Sequence, residues 1–331
     1  MTYKKWFHIS IITIFTLLLM NSIFLYLTDI YGVAHPKRKF FPTAFTQRFL
    51  VTTYMLEHYN KYDTLLFGSS RVQFINPQHI PNAKAYNLTV AEGIPQEYYL
   101  MLKLLISKGL KPKSVLIGLD NFSHNISFEG HQNALETKSH YLITGEPLYK
   151  FYSDFFFRLP TKKDFQDIKN RYKNLNLYKM HYDIIYNQKK AFREQKYTQP
   201  EPSAPIYNNP TTWHGDNLQN ALQAIKNIKT LCDEHGIKTI FWINPIQHTS
   251  YDAMQKDKLN KALFNKFKKE LSYITDYYDF SEPNEISKDN RNWLETSHFI
   301  PKIGDLIIKS IYNNKVYVKN FGTHIKKEEK N

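Results

Sequence analysis

From Trp6 to Thr28 the chain reads WFHISIITIFTLLLMNSIFLYLT, with no Asp, Glu, Lys or Arg. As a helix this run extends ~34 Å at ~1.5 Å per residue, enough to cross the hydrocarbon core of a bilayer. No polar face interrupts it, which disfavours an ordinary core helix. Lys4 and Lys5 precede it, and Trp6 and Tyr26 stand where interfacial aromatics belong. Gly32-Val33-Ala34 would suit a signal peptidase. The apolar run, however, exceeds the ~7–15 residues of a signal-peptide core, so an uncleaved, single-pass anchor is expected. Lys37, Arg38 and Lys39 follow the run and offset Lys4 and Lys5. Long domains translocate largely regardless of such charges. The body is therefore expected outside the cytoplasm, on the periplasmic or extracellular face.

Beyond residue 62 strand-like and helix-like stretches alternate. Asp63–Phe67, Ala85–Leu88, Ser114–Asp120, Lys238–Ile243 and Tyr277–Phe280 are short apolar runs. Pro95–Lys108, Asp216–His235, Tyr251–Leu271 and Pro301–Ile311 carry apolar residues at helical spacing. Strands separated by helices predict an α/β domain with a short parallel sheet, whose ligands sit at the carboxyl ends of the strands. The stretch 121–213 breaks this rhythm, is rich in Tyr, Phe and Lys, and reads as an inserted helical cap, with Pro200–Pro210 as a linker. The expected organisation is an anchor and juxtamembrane segment (1–34), a first part of the domain (35–120), the cap (121–213), a second part (214–315) and a charged tail (316–331).

The 331 residues carry 44 Lys+Arg against 30 Asp+Glu, a formal charge of +14. Such a balance suits anionic partners, or simply solubility. No zinc-finger spacing, RNP-like aromatic motif or heptad basic region appears, so nucleic acid is not an expected partner. Cys232 is the sole cysteine, which rules out an intramolecular disulfide and a cysteine-rich metal site. His124, His131, His140 and His248 lack metal-ligand spacing and read as structural or surface residues. Neither a metal nor a cofactor is expected.

Gly68-Ser69-Ser70-Arg71 directly follows a buried strand. A serine on such a turn presents its hydroxyl beside free backbone N–H groups, although Gly-Ser loops are common. Near the other end stands Glu295-Thr-Ser-His298. A serine needs a base to become a nucleophile, and the histidine needs an acid to fix its tautomer.

With two further stretches, Asn87-Leu-Thr-Val-Ala-Glu-Gly93 and Ile117-Gly-Leu-Asp-Asn121, these residues resemble the SGNH/GDSL hydrolase superfamily. The order is the family's: serine after the first strand, acid-x-x-His after the last. The block Trp293–Asp305 resembles that of membrane-anchored, DltD-like and AlgJ-like cell-surface acyl-transfer proteins. The resemblance covers about residues 63–311, without the cap, and implies an SGNH-type three-layer sandwich. It implies Ser70 as nucleophile, with Ser69 as the neighbouring alternative, His298 as base and Glu295 as its orienting acid. The N–H groups of Ser70 and Gly93, with the Asn121 side chain, are the implied oxyanion donors. Two departures stand out. The acid is Glu where the family has Asp, which leaves Asp279 as an alternative, and the third block reads Asp-Asn rather than Asn-Asp. Arg71 is a candidate contact for an anionic substrate, or a partner for a local carboxylate.

The implied activity is that of a serine acyltransferase or esterase, passing an O-acyl or D-alanyl group to a cell-envelope polysaccharide or wall polymer. A membrane-bound O-acyltransferase is the candidate protein partner. Two alternatives are an O-acetylesterase of a surface glycan and a non-catalytic scaffold subunit that keeps the fold.

Overall fold

The structure, a computed structural model, describes residues 2–36, 46–171 and 216–329. The basic cluster 37–39, the linker 200–210 and most of the second half of the expected cap lie outside the described residues.

Along the chain come α1 (Tyr3–Thr28), α2 (Gln47–His58), β1 (Thr64–Phe67), β2 (Ala85–Asn87), α3 (Pro95–Ser107) and β3 (Ser114–Leu119). There follow α4 (Phe128–Asn133), α5 (Tyr141–Thr144), α6 (Leu148–Phe156) and α7 (Lys162–Arg171). From residue 218 the order is α8 (Leu218–Glu234), β4 (Lys238–Ile243), α9 (His248–Lys256), α10 (Lys258–Ile274) and β5 (Tyr277–Asp279). The chain closes with α11 (Glu285–Lys288), α12 (Pro301–Asn313) and β6 (Thr323–Ile325). The helix expected over 251–271 is thus two helices. They meet at Asp257, whose carboxylate accepts the N–H groups of Leu259 and Asn260 and so starts a new helix.

Contacts divide the chain into two units, residues 1–54 with 131–187 and residues 55–130 with 188–331. The second unit holds the sheet, in the order β2-β1-β3-β4-β5-β6. The first five strands are parallel, as their near-continuous burial and intervening helices require. Side chains alternate between the two faces. Phe67 meets Tyr98 of α3 at 5.7 Å between ring centroids, and α3, α8 and α10 pack in succession over that face. On the other face Leu66, Leu116 and Trp242 join Ile303, Ile307, Ile308 and Ile311 of α12, together with Trp293 and Phe299.

The sheet is mixed rather than all parallel. Within the expected charged tail, Thr323–Ile325 pairs antiparallel with β5, and His324 stacks on Tyr278 at 4.4 Å. The added strand covers what would be an open sheet edge. Beyond it, the Glu328 N–H still donates to Ser272 O at 2.9 Å.

The first unit contains α1, which is long and apolar enough to cross a membrane, with a mean hydropathy of 2.1 over its most apolar window. Its end is capped by Asp29, which adopts a left-handed backbone conformation. The Asp29 carboxylate accepts the N–H groups of Val33, Ala34 and His35 at 2.8–3.1 Å. The Gly32-Val33-Ala34 stretch is therefore wound into a turn with Val33 buried. Residues 131–171, expected to belong to a cap over the domain, cluster instead with this unit, where Phe151, Phe155 and Tyr31 form an aromatic core. Residues 121–130 stay with the sheet.

Candidate active site

β1 has β2 on one side and β3 on the other. The chain leaves the carboxyl ends of β1 and β3 in opposite directions there, which opens a crevice at the sheet's edge. Ser69 and Ser70 follow β1, and Asp120 and Asn121 follow β3. Gly68 at the strand exit has no room for a side chain, since a Cβ there would lie 2.4 Å from Val72 Cγ2. The tight turn separates the two serines. Ser69 is fully buried and its hydroxyl accepts the Arg71 N–H at 3.2 Å, whereas Ser70 is half-buried.

The loop after α11 brings His298. Trp293 and Phe299, both fully buried, form an antiparallel bridge, and Trp293 Nε1 donates to Ile286 O at 3.1 Å. Anchored at both ends, the loop projects His298 beside Ser70. His298 Nε2 lies 2.8 Å from Ser70 Oγ. His298 Nδ1 bonds to Glu295 Oε1. The same carboxylate accepts the N–H of His298 at 2.7 Å and of Ser297 at 2.8 Å. The longer Glu side chain folds back onto its own turn, which brings its carboxylate to His298 Nδ1. Burial pushes the Glu295 carboxyl upward, but the His298 hydrogen bond, its charge and the two backbone N–H groups outweigh that and leave it below its usual value. Glu295 is thus anionic at neutral pH and favours the tautomer with a proton on Nδ1. Nε2 then offers its lone pair to the Ser70 hydroxyl, the arrangement that lets a serine lose its proton as it attacks a carbonyl.

Asp279 is engaged elsewhere. Its Oδ1 accepts from the Ser281 N–H and hydroxyl, and its Oδ2 from Lys268 Nζ at 3.2 Å.

The expected oxyanion donors divide. Among the described residues the Ser70 N–H has no acceptor, so it is free to bond an oxyanion. The Gly93 N–H instead donates to Val90 O at 3.2 Å, closing the turn after β2. Gly93 matters sterically: a Cβ there would stand 2.7 Å from Gly68 O and 2.8 Å from Tyr98 Oη. Asn121 accepts Arg71 Nη1 at 2.8 Å, and its amide nitrogen lies 3.9 Å from Met254 Sδ, a weak acceptor.

Arg71, expected as a substrate contact, is buried and partnered inside the protein. Nη1 pairs with Asp120 Oδ1 at 3.0 Å as well as with Asn121, and Nε and Nη2 each reach Ser297 Oγ at 3.3 Å. Its guanidinium also lies over the Phe122 ring at 5.0 Å. The side chain therefore ties the Ser69–Ser70 turn to the end of β3 and to the residue beside His298.

Two polar residues of this site escape sequence reasoning. Asn244 reads only as the stop of β4, yet its amide donates to Asp120 Oδ1 at 3.0 Å and accepts Trp242 Nε1 at 2.7 Å. Asn87, by sequence only the start of a motif, donates to Val72 O and Ile75 O and pins the turn that follows Ser70. A buried Asn at a strand exit is the signal that marks the first.

No protein-family model matches this chain, and no curated protein matches it.

Proposed function

We propose that this chain is a membrane-anchored serine acyl hydrolase or acyltransferase of SGNH type, acting on a cell-envelope polymer outside the cytoplasm. The observation that carries the reading is the Ser70–His298–Glu295 relay, with Ser70 Oγ 2.8 Å from His298 Nε2 across 228 positions of sequence. In the proposed reaction Ser70 Oγ attacks an ester carbonyl while His298 Nε2 takes the hydroxyl proton. The oxyanion meets the Ser70 N–H, with the Asn121 amide as second donor. His298 then protonates the leaving oxygen, and the acyl group remains on Ser70 until a sugar hydroxyl or water takes it. Transfer and hydrolysis share these steps and differ only in the acceptor. The apolar helix α1 and the large body after it support the membrane location, and the wound turn at residues 32–34 supports retention of the anchor.

The test is covalent labelling by a fluorophosphonate. The wild-type chain and Ser69→Ala are expected to take the label and Ser70→Ala to take none. A wild-type chain that takes no label would favour the scaffold reading.

A further inference from the structure

We propose that the surface formed by α6, α7 and the turn between them rests in the headgroup–acyl boundary of the bilayer that α1 crosses. The proposal rests on α1 being a transmembrane helix and adds a second, monotopic membrane contact within the same unit.

α1 is exposed along almost all of Tyr3–Met20. The contacts that tie it to residues 131–171 lie in its last turns. Asn21 Nδ2 donates to Arg158 O at 2.7 Å, Phe24 meets Phe165 at 6.0 Å and Tyr26 meets Phe156 at 5.6 Å. From Trp6 to Tyr26 a helix rises ~30 Å, the thickness of a hydrocarbon core, so these two aromatics mark its boundaries. Asn21 then sits ~7 Å inside the boundary marked by Tyr26. An amide at that depth needs a partner, and the Arg158 carbonyl provides it. The backbone at Arg158 is thereby held at the depth of acyl chains.

The apolar side chains around it suit that medium, and the exposed Lys162, Lys163 and Lys169 of α7 suit its headgroup side. Phe157 and Leu159, on either side of Arg158, are 76% and 73% exposed, and Phe165 is 55% exposed beside Phe24. Leu148 and Tyr149 at the start of α6 are 53% and 78% exposed. An apolar patch of this kind is unfavourable in water but is solvated by lipid. The Arg158 charge does not contradict the placement. Its guanidinium is paired with Asp164 at 2.7 and 2.8 Å and lies over the Tyr31 ring. Continuity with α1 identifies the occupant as the bilayer and not a second protein, because Phe157, Leu159 and Phe165 stand at or beside the residues that contact Asn21, Phe24 and Tyr26.

The test uses the full-length chain in phosphatidylcholine–phosphatidylglycerol vesicles, with and without brominated acyl chains. An environment-sensitive fluorophore is attached at Phe157→Cys, Leu159→Cys, Ile12→Cys or Gln223→Cys, one at a time. Cys232 is buried and does not compete for the label. Labels at 157 and 159 are expected to shift to the blue in vesicles and to lose emission with brominated lipid, as the label at 12 does, while that at 223 does neither. Quenching at 12 without quenching at 157 and 159 overturns this proposal and leaves the anchor intact. No quenching at 12 overturns the anchor and the proposal together.

Discussion

In the proposed relay Ser70, His298 and Glu295 act through one proton, and their substitutions are expected to differ in severity. His298→Ala removes the group that carries the proton and is expected to lower kcat on a small acetyl ester by several powers of ten, about 10³ or more. Glu295→Gln keeps the two backbone N–H contacts in part but loses the charge that stabilises the imidazolium, and is expected to lose less. Steady-state kinetics of the two variants check the order. Arg71 belongs to a different class. Asp120 is fully buried and its Oδ2 has no hydrogen-bond partner among the described residues, so Arg71→Ala leaves an uncompensated buried charge. Breaking such a pair costs about 3–5 kcal/mol, to be read from urea midpoints. Arg71→Lys keeps the charge but not the fork that spans Asp120, Asn121 and Ser297. It is expected to recover much of the stability while kcat stays low, because Ser297, and with it His298, is no longer held to the turn that carries Ser70.

At the scale of elements, the site is an agreement among strand exits. The turn after β1 carries Ser70, the turn after β2 packs on it through Gly93, and the exits of β3 and β4 meet at Asp120 and Asn244. The neighbour of a Cβ at Gly93 is a backbone carbonyl, Gly68 O, which cannot swing aside as a flexible side chain would. Gly93→Ala is expected to destabilise by ~1–3 kcal/mol and to lower activity, since the displaced carbonyl lies one residue before the two serines. Thermal melting and ester hydrolysis together test this. A variant that melts lower yet keeps full activity would show that the β2 turn does not position Ser70.

On the scale of the whole molecule, stability is expected to fall in mild acid. His124 is fully buried, its two ring nitrogens have no partner among the described residues, and its ring stacks on Phe267 and Phe264. Burial lowers its value from 6.5 to about 4, with Asp216 opposing. Between those values the unfolded chain binds a proton that the folded chain does not. The contribution is therefore complete above 6.5 and is lost progressively as the pH falls towards 4. It amounts to about 3 kcal/mol at ~1.4 kcal/mol per unit. His140, lowered to about 4 by burial, acts in the same direction in the first unit, where its Nδ1 accepts the Leu142 N–H that starts α5. Urea midpoints between pH 7 and 4 check the slope, and His124→Phe is expected to flatten it for the sheet-bearing unit.

The sequence by itself determined whatever depends on local pattern. An uncharged run longer than a bilayer is thick can hardly be anything but one apolar helix, and α1 is that helix. Period and flanking residues placed β1 to β5 and the helices α3, α8 and α12 within a few residues, because buried parallel strands have little room for polar positions. The tertiary structure decided what depends on meetings across the chain. Thr323–Ile325 has too little apolar character to announce a strand, and it becomes one only because β5 presents an open edge. Residues 131–171 read as part of an insertion, but their aromatic side chains pack on Tyr26 of α1 and on Tyr31 just after it. At the site, sequence named Ser70, His298 and Glu295 by motif. Only the fold sets Glu295 rather than Asp279 on the histidine, turns Arg71 inward, and engages the Gly93 N–H with Val90, because each of these is fixed by a partner that no local spacing reveals.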